Sequence, residues 1–114
     1  MKTLKNLFTL SHKVTIYVPA TIDANTPIDN TAYVNDTASL LCSLFGGATS
    51  TKAIGFWQSE TLCLIRENTS LVFAYAADLN ESAIDAIITH CENLKSTMNQ
   101  ESIALEIDGN MYFI

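Results

Sequence analysis

Glu67 is the one acidic residue of this chain that falls inside a strand-rich region, and Arg66 directly precedes it. A carboxylate held in apolar surroundings can act as a general acid or base. The adjacent guanidinium instead favours a local ion pair. The segment Gly46-Gly47-Ala48-Thr49-Ser50-Thr51 invites a second chemistry, phosphate binding, with Lys52 behind it. Phosphate loops, however, present backbone N–H groups at a helix N-terminus, where the dipole is positive. These glycines follow a helical pattern and face its negative end, and no Gly-Lys-Ser/Thr ending is present. Helix termination accounts for them, with one wall of a pocket as a further use. His12 and His90 have no Cys, Asp or Glu at ligand spacing, and His90 falls on the flank of an apolar helical stripe. No nucleophile elbow accompanies any serine.

The cysteines, Cys42, Cys63 and Cys91, are odd in number and far apart, with no C-x-x-C spacing. That disfavours zinc ribbons, redox pairs and disulfide frameworks. Cys42 and Cys91 fall in helical patterns and Cys63 in a strand pattern, where buried thiols act as small hydrophobes. The single tryptophan stands in Gly55-Phe56-Trp57. A glycine inside a strand marks a bulge or a close backbone approach, and Trp57 suits either a core or an interface.

The elements that must position these residues follow from periodicity. Val14, Ile16 and Val18 alternate with Lys13, Thr15 and Tyr17, the period of a half-buried strand, which Pro19 ends. Thr21–Asn30 is rich in Asn, Asp, Thr and Pro and reads as a loop, with Asp29 or Asn30 as helix cap. Val34, Ala38, Leu41 and Phe45 then recur at helical spacing, and Gly46 is the left-handed terminator. Ile54–Gln58 and Leu62–Glu67 pair across Ser59-Glu60; Leu71–Ala77 is a continuation or a separate strand, with Asn68-Thr69 as a bulge or turn. Over Glu81–Met98, Ile84, Ile87, Ile88, Cys91, Leu94 and Met98 trace one helix face. Asn80 is its cap, and Leu79 with Ile84 occupy the positions of a hydrophobic staple. Ile103, Leu105 and Ile107 alternate before Asp108-Gly109, a two-residue hairpin signal, and Met111–Ile114 returns. The order predicts an α+β two-layer sandwich, ferredoxin-like βαββαβ with a C-terminal β-hairpin. Residues 1–12 form an N-terminal extension and 13–114 a single domain.

Composition narrows the function. Over 114 residues, 12 acids against 6 bases give a net charge of −6. The acids are dispersed singly, so nothing imitates nucleic acid. The few scattered bases cannot release many counterions, which argues against direct nucleic-acid binding. Hydrophobic residues reach 48% while charged residues are only 16%, and such a surface is expected to hide an apolar patch against a partner. The open face of the sheet is the natural place for a homo-oligomer, a dimer first. The first residues lack a sustained apolar stretch, and no segment approaches the ~18 apolar residues of a membrane span. No membrane association, metal or cofactor is expected.

From Phe45 onward the chain resembles a family of small phage, plasmid and bacterial proteins of no assigned activity. The shared pattern is carried by Phe45-Gly46-Gly47-Ala48-Thr49, Gly55-Phe56-Trp57, Glu67 and Gln100-Glu101, with Val18-Pro19 upstream. The resemblance implies the same fold, a mobile-element setting and a bacterial cytoplasm, and carries over no catalytic residue. It singles out Glu67 and Gln100, polar residues that need a partner in apolar surroundings. The sequence therefore favours a non-enzymatic binding protein, a counter-defence inhibitor that contacts a host protein. A nucleotide-signal binder is the alternative and a small hydrolase using Glu67 a distant third. Partner or ligand contacts are expected at Gly46, Gly47, Thr49, Lys52, Trp57, Arg66, Glu67 and Gln100, with no catalytic residue among them.

Overall fold

Val14, Ile16 and Val18 lose all solvent exposure on one side of strand β1 (His12–Pro19), because every second side chain of a strand points the same way. The computed structural model describes residues 1–23 and 25–114. In chain order β1 is followed by a miniature hairpin, β2 (Thr21–Ile22) and β3 (Thr26–Pro27), and then by helix α1 (Thr31–Phe45). Strands β4 (Thr49–Gln58) and β5 (Leu64–Ala76), helix α2 (Glu81–Thr97) and strands β6 (Ala104–Ile107) and β7 (Asn110–Phe113) complete the chain. The five longer strands form one antiparallel sheet in the order β4-β5-β1-β6-β7.

Both helices pack on one face. Leu41 of α1 and Ile87, Cys91 and Leu94 of α2 join Val14, Ile16, Val18, Val72, Ala74 and Leu105 in a single core, closed by Met98 and Ile103. This is the expected two-layer α+β sandwich with a C-terminal hairpin. Asp108 and Gly109 both take left-handed backbone (φ 52° and 85°), the geometry a two-residue hairpin turn requires. The Asp108 carboxylate then accepts from Lys13 N (2.8 Å) and meets His12 Nδ1 (2.7 Å), tying the last turn to the start of β1.

Helix ends follow elementary capping rules, with one exchange of roles. Gly46 (φ 92°) ends α1 and returns its N–H to Cys42 O at 2.8 Å. Asn80 Oδ1 accepts from Ala83 N at 2.8 Å at the start of α2. Asn30 occupies the cap position of α1, but its side chain donates to Val18 O, Pro19 O and Ser70 Oγ instead. Asp29 takes over, accepting from Thr31 N and Thr31 Oγ1, and those bonds lower its carboxyl from the ordinary 3.8.

Three strand assignments change. The strand expected from Ile54 begins at Thr49, so only Gly46–Ala48 remain outside regular structure. Asn68-Thr69 is neither turn nor bulge: β5 runs unbroken, with Asn68 opposite Ile54 and Thr69 opposite Ala53. Cys63 lies before β5 rather than in it. The reason is length. β1 pairs only with Thr69–Ala76 of β5, so residues 64–68 and their β4 partners extend beyond it as a two-stranded arm. Sequence periodicity read that change of neighbours as a break.

Candidate functional site

Register settles where Glu67 points. Residues opposite one another in an antiparallel pair share a face. Thr69, Leu71 and Phe73 lie opposite Pro19, Tyr17 and Thr15, away from the helices, and Glu67 continues that row. The same row on β4 runs Thr49, Thr51, Ala53, Gly55 and Trp57, with Gly55 directly opposite Glu67. Glu67 is therefore a half-buried carboxylate on the open face of the sheet, with bare backbone beside it. Tyr17, Thr21, Gln100, Ala104 and Phe113 line the same cleft, of about 210 Å³. Gln100 Nε2 donates to Thr21 O at 3.0 Å and Met98 O at 3.1 Å, so it is a wall of the cleft with its amide protons already committed. Around the edge of β5 a second cleft of about 570 Å³ adjoins Glu67 and collects Trp57, Ile65, Arg66, Glu101 and the β2–β3 hairpin.

The sequence candidates thus divide. Gly55, Trp57, Glu67 and Gln100-Glu101 gather at one end of the molecule. Gly46, Gly47 and Thr49 line a separate hollow with Phe45, Leu10, Phe73 and Tyr75. Gly55 lies six residue steps along β4 from Thr49, about 20 Å at strand spacing. Lys52 faces the helix side opposite Ser70, in a groove with Asp29 and Asn30; its charge helps lower Asp29. Arg66 is next to Glu67 in sequence but points to the other face. The expected Arg66–Glu67 ion pair is absent, and among the described residues the one ion pair is His12–Asp108.

Trp57 is 52% exposed, so it is not a core anchor of this chain. Of the cysteines only Cys91 is buried, and burial pushes its thiol up to about 12, which makes it inert at neutral pH. Cys42 and Cys63 are exposed, against expectation. His90 bridges the helices, its Nε2 2.7 Å from Thr37 Oγ1, and burial lowers its pKa. No group of three or more metal-ligating side chains occurs among the described residues, and no helix there is long and apolar enough to cross a membrane. Sequence reasoning missed Thr21, Tyr17 and Phe113 as cleft walls, since the register that brings them to Glu67 has no local signal. Glu101 was part of the quoted pattern without being singled out.

Fold and site define a two-layer α+β domain with an acidic, aromatic-flanked cleft at one end of an uncovered sheet face. No family model matches this chain, and no curated protein matches it. Two solved structures do. One is a phage S-adenosylmethionine (SAM) lyase in complex with S-methyl-5′-thioadenosine, with a TM-score of 0.68 and 17% identity over 99% of this chain and 95% of that one. The other is a phage SAM lyase in the apo state, with a TM-score of 0.67 and 19% identity over 95% of this chain and 94% of that one. At such identity the likeness establishes the fold. It also overturns the expectation of a non-enzymatic binding protein, because the same frame, spanned almost end to end, belongs to an enzyme.

Proposed function

We propose that this chain is a lyase that splits S-adenosylmethionine, releasing S-methyl-5′-thioadenosine. The observation that carries the reading is the seat of Glu67, on an open sheet face with Gly55 opposite and Trp57 and Glu101 nearby, in a frame shared with phage SAM lyase. The substrate carries a sulfonium and an ammonium, which the Glu67 and Glu101 carboxylates attract, and a carboxylate, for which Arg66 lines the same larger cleft. An exposed indole offers an adenine a stacking face. The scarcity of bases, which counted against an anionic ligand, suits a cationic one.

Release of the thioadenosine breaks the bond from sulfur to the methionine Cγ, and its electron pair returns to sulfur. The aminoacyl fragment completes the balance by closing its own carboxylate onto Cγ or by giving up a Cβ proton. Neither route takes up water. Both cancel the sulfonium charge against a carboxylate, a step favoured where water is excluded. Tyr17, Ile103, Ala104 and Phe113 supply that apolar lining. Glu67 holds the ammonium in the first route and accepts the proton in the second.

The strand order supports reading the frame as ferredoxin-like, with β1, β4, β5, β6 and the two helices as its six elements and β7 added at the edge. The apolar open face, with Tyr17, Leu71, Phe73 and Trp57, supports a homo-oligomer in which a second copy covers it. The reading calls for the cytoplasm of a bacterial host as compartment, and the phage and plasmid resemblance supports that setting.

The test is incubation of purified protein with S-adenosylmethionine and mass analysis of the products. S-Methyl-5′-thioadenosine should appear with a fragment equal to the substrate less that thioether. A fragment heavier by one water would mean hydrolysis, and no thioadenosine at all would end the proposal. Glu67→Gln should lower kcat/KM by about a hundredfold or more, the scale of losing one oriented charge contact in an active site, with the melting temperature unchanged.

A further inference from the structure

Asp23 and Asn99, close in sequence to Thr21 and Gln100 of the Glu67 cleft wall, hold costly backbone conformations and are bonded to each other. Asp23, in the β2–β3 hairpin, has φ 58°, and Asn99, just after α2, has φ 51°. Asn99 Nδ2 donates to Asp23 Oδ1. Both side chains are exposed, so no burial offsets the left-handed backbone. Asn and Asp are the side chains that tolerate it best. Strain of this kind persists where surrounding structure over-determines it, and it concentrates at functional sites.

The hairpin needs the help. Its ladder is Thr21 opposite Pro27 and Ile22 opposite Thr26, and Pro27 has no N–H to donate. So short a two-stranded ribbon is marginal alone. Four bonds anchor it to the loop after α2: Asp23 N to Met98 O (3.2 Å), Gln100 Nε2 to Thr21 O (3.0 Å) and to Thr21 Oγ1 (3.5 Å), and the Asp23–Asn99 contact. Met98 has no solvent exposure, so the loop end of this latch is seated in the core. The hairpin in turn walls both clefts that adjoin Glu67, with Thr21 in one and Thr21, Asn25 and Pro27 in the other.

We infer that the Asp23–Asn99 pair is a latch that fixes the β2–β3 hairpin as the substrate-facing wall beside Glu67, with Asp23 and Asn99 as positioning residues for sulfonium-nucleoside binding. This rests on the lyase reading for its ligand and on the free protein for its mechanics. The latch pre-organises the wall, so its loss weakens binding rather than the chemical step.

Three variants separate the terms. Asn99→Gly keeps the left-handed backbone accessible and removes the bond. Asn99→Asp sets two carboxylates against each other. The exchange Asp23→Asn with Asn99→Asp reverses donor and acceptor and restores the bond. Deuterium uptake over residues 21–27 of the free protein should rise in the first two and return in the exchange. KM for S-adenosylmethionine should rise about five- to tenfold, the scale of one hydrogen bond, with kcat within about twofold, and recover in the exchange. Unchanged uptake in Asn99→Gly, or raised uptake with unchanged KM, overturns the latch. If the wild type turns over no substrate the lyase reading falls, and the same series is read by calorimetric affinity for S-methyl-5′-thioadenosine. Weakening restored by the exchange then supports the latch, and any other result, including no binding, overturns it.

Discussion

Gly55 leaves the sheet bare beside Glu67. A Cβ built there comes no closer than 3.8 Å to Glu67 O, an ordinary contact, and the backbone is not left-handed. Neither crowding nor strain therefore calls for glycine, and a glycine in a strand interior costs roughly 0.5–1 kcal/mol relative to alanine. What it provides is space on the open face where the carboxylate stands. Gly55→Val should leave the melting temperature unchanged or higher, because a β-branched residue suits the strand, while KM for S-adenosylmethionine rises severalfold. A lowered melting temperature with unchanged KM would show that the glycine is structural. The same alternation explains why Arg66 fails as a partner: neighbours in a strand are each other's least available contacts, and Glu67 is left with its charge directed at the cleft.

At the scale of elements, the two helices are coupled by a polar contact within a largely apolar layer. His90 Nε2 lies 2.7 Å from Thr37 Oγ1, and Thr37 also donates to Tyr33 O at 2.8 Å. Burial lowers the His90 pKa from 6.5, and the nearby Asp36 opposes this only in part. The unfolded chain therefore binds a proton that the folded chain resists. Stability attributable to His90 is full above 6.5 and is lost as pH falls from there through the lower folded value. Thermal midpoints should decline over that interval and decline less in His90→Gln. Asp29 and Asp108, whose folded carboxyls are lowered from 3.8, add their own loss of stability as pH falls toward and through that value, so the comparison with His90→Gln is what isolates the imidazole. Both helices were legible in the sequence because their signals are local: Asn80 as cap, Gly46 as terminator, and a periodic stripe over Ile87, Cys91 and Leu94. β4 and β5 were legible as strands but not in extent, because Asn68-Thr69 carries turn residues and only the pairing with Ile54 and Ala53 shows the strand continuing. The cleft was half legible. Trp57, Glu67 and Gln100 were named, whereas Tyr17, Thr21 and Phe113 reach Glu67 only through the β1–β5 register and the hairpins at either end, and no short pattern encodes those.

For the whole molecule, the decisive asymmetry is between the two faces of the sheet. The helices bury one face to zero exposure at Val14, Ile16, Val18 and Val72. The other carries Tyr17, Leu71, Phe73 and Trp57 with no helix over it among the described residues, and Phe113 of β7 is 71% exposed. Lys13, at the N-terminal end of β1 on this face, lies over the Phe73 and Tyr75 rings at 4.7 and 5.6 Å, which lowers the cost of covering it. A stable contact between copies needs about 1,000 Å² or more of buried surface, and a five-stranded face with a projecting β4–β5 arm offers an area of that order. Since Glu67 stands on this same face, covering it also excludes water from the cleft, so assembly and turnover should fail together. Leu71→Glu sets a carboxylate in the middle of the face, opposite Tyr17 and Thr51, without touching the helix-side core. In the wild type, native mass spectrometry should show an oligomer, and the melting temperature should rise with protein concentration. In Leu71→Glu the subunit count should drop to one, the concentration dependence should vanish, and thioadenosine release should fall with it. A wild-type monomer with a flat melting temperature would mean that the open face works uncovered, and Glu67 would then have to act in a cleft shaped by one chain alone.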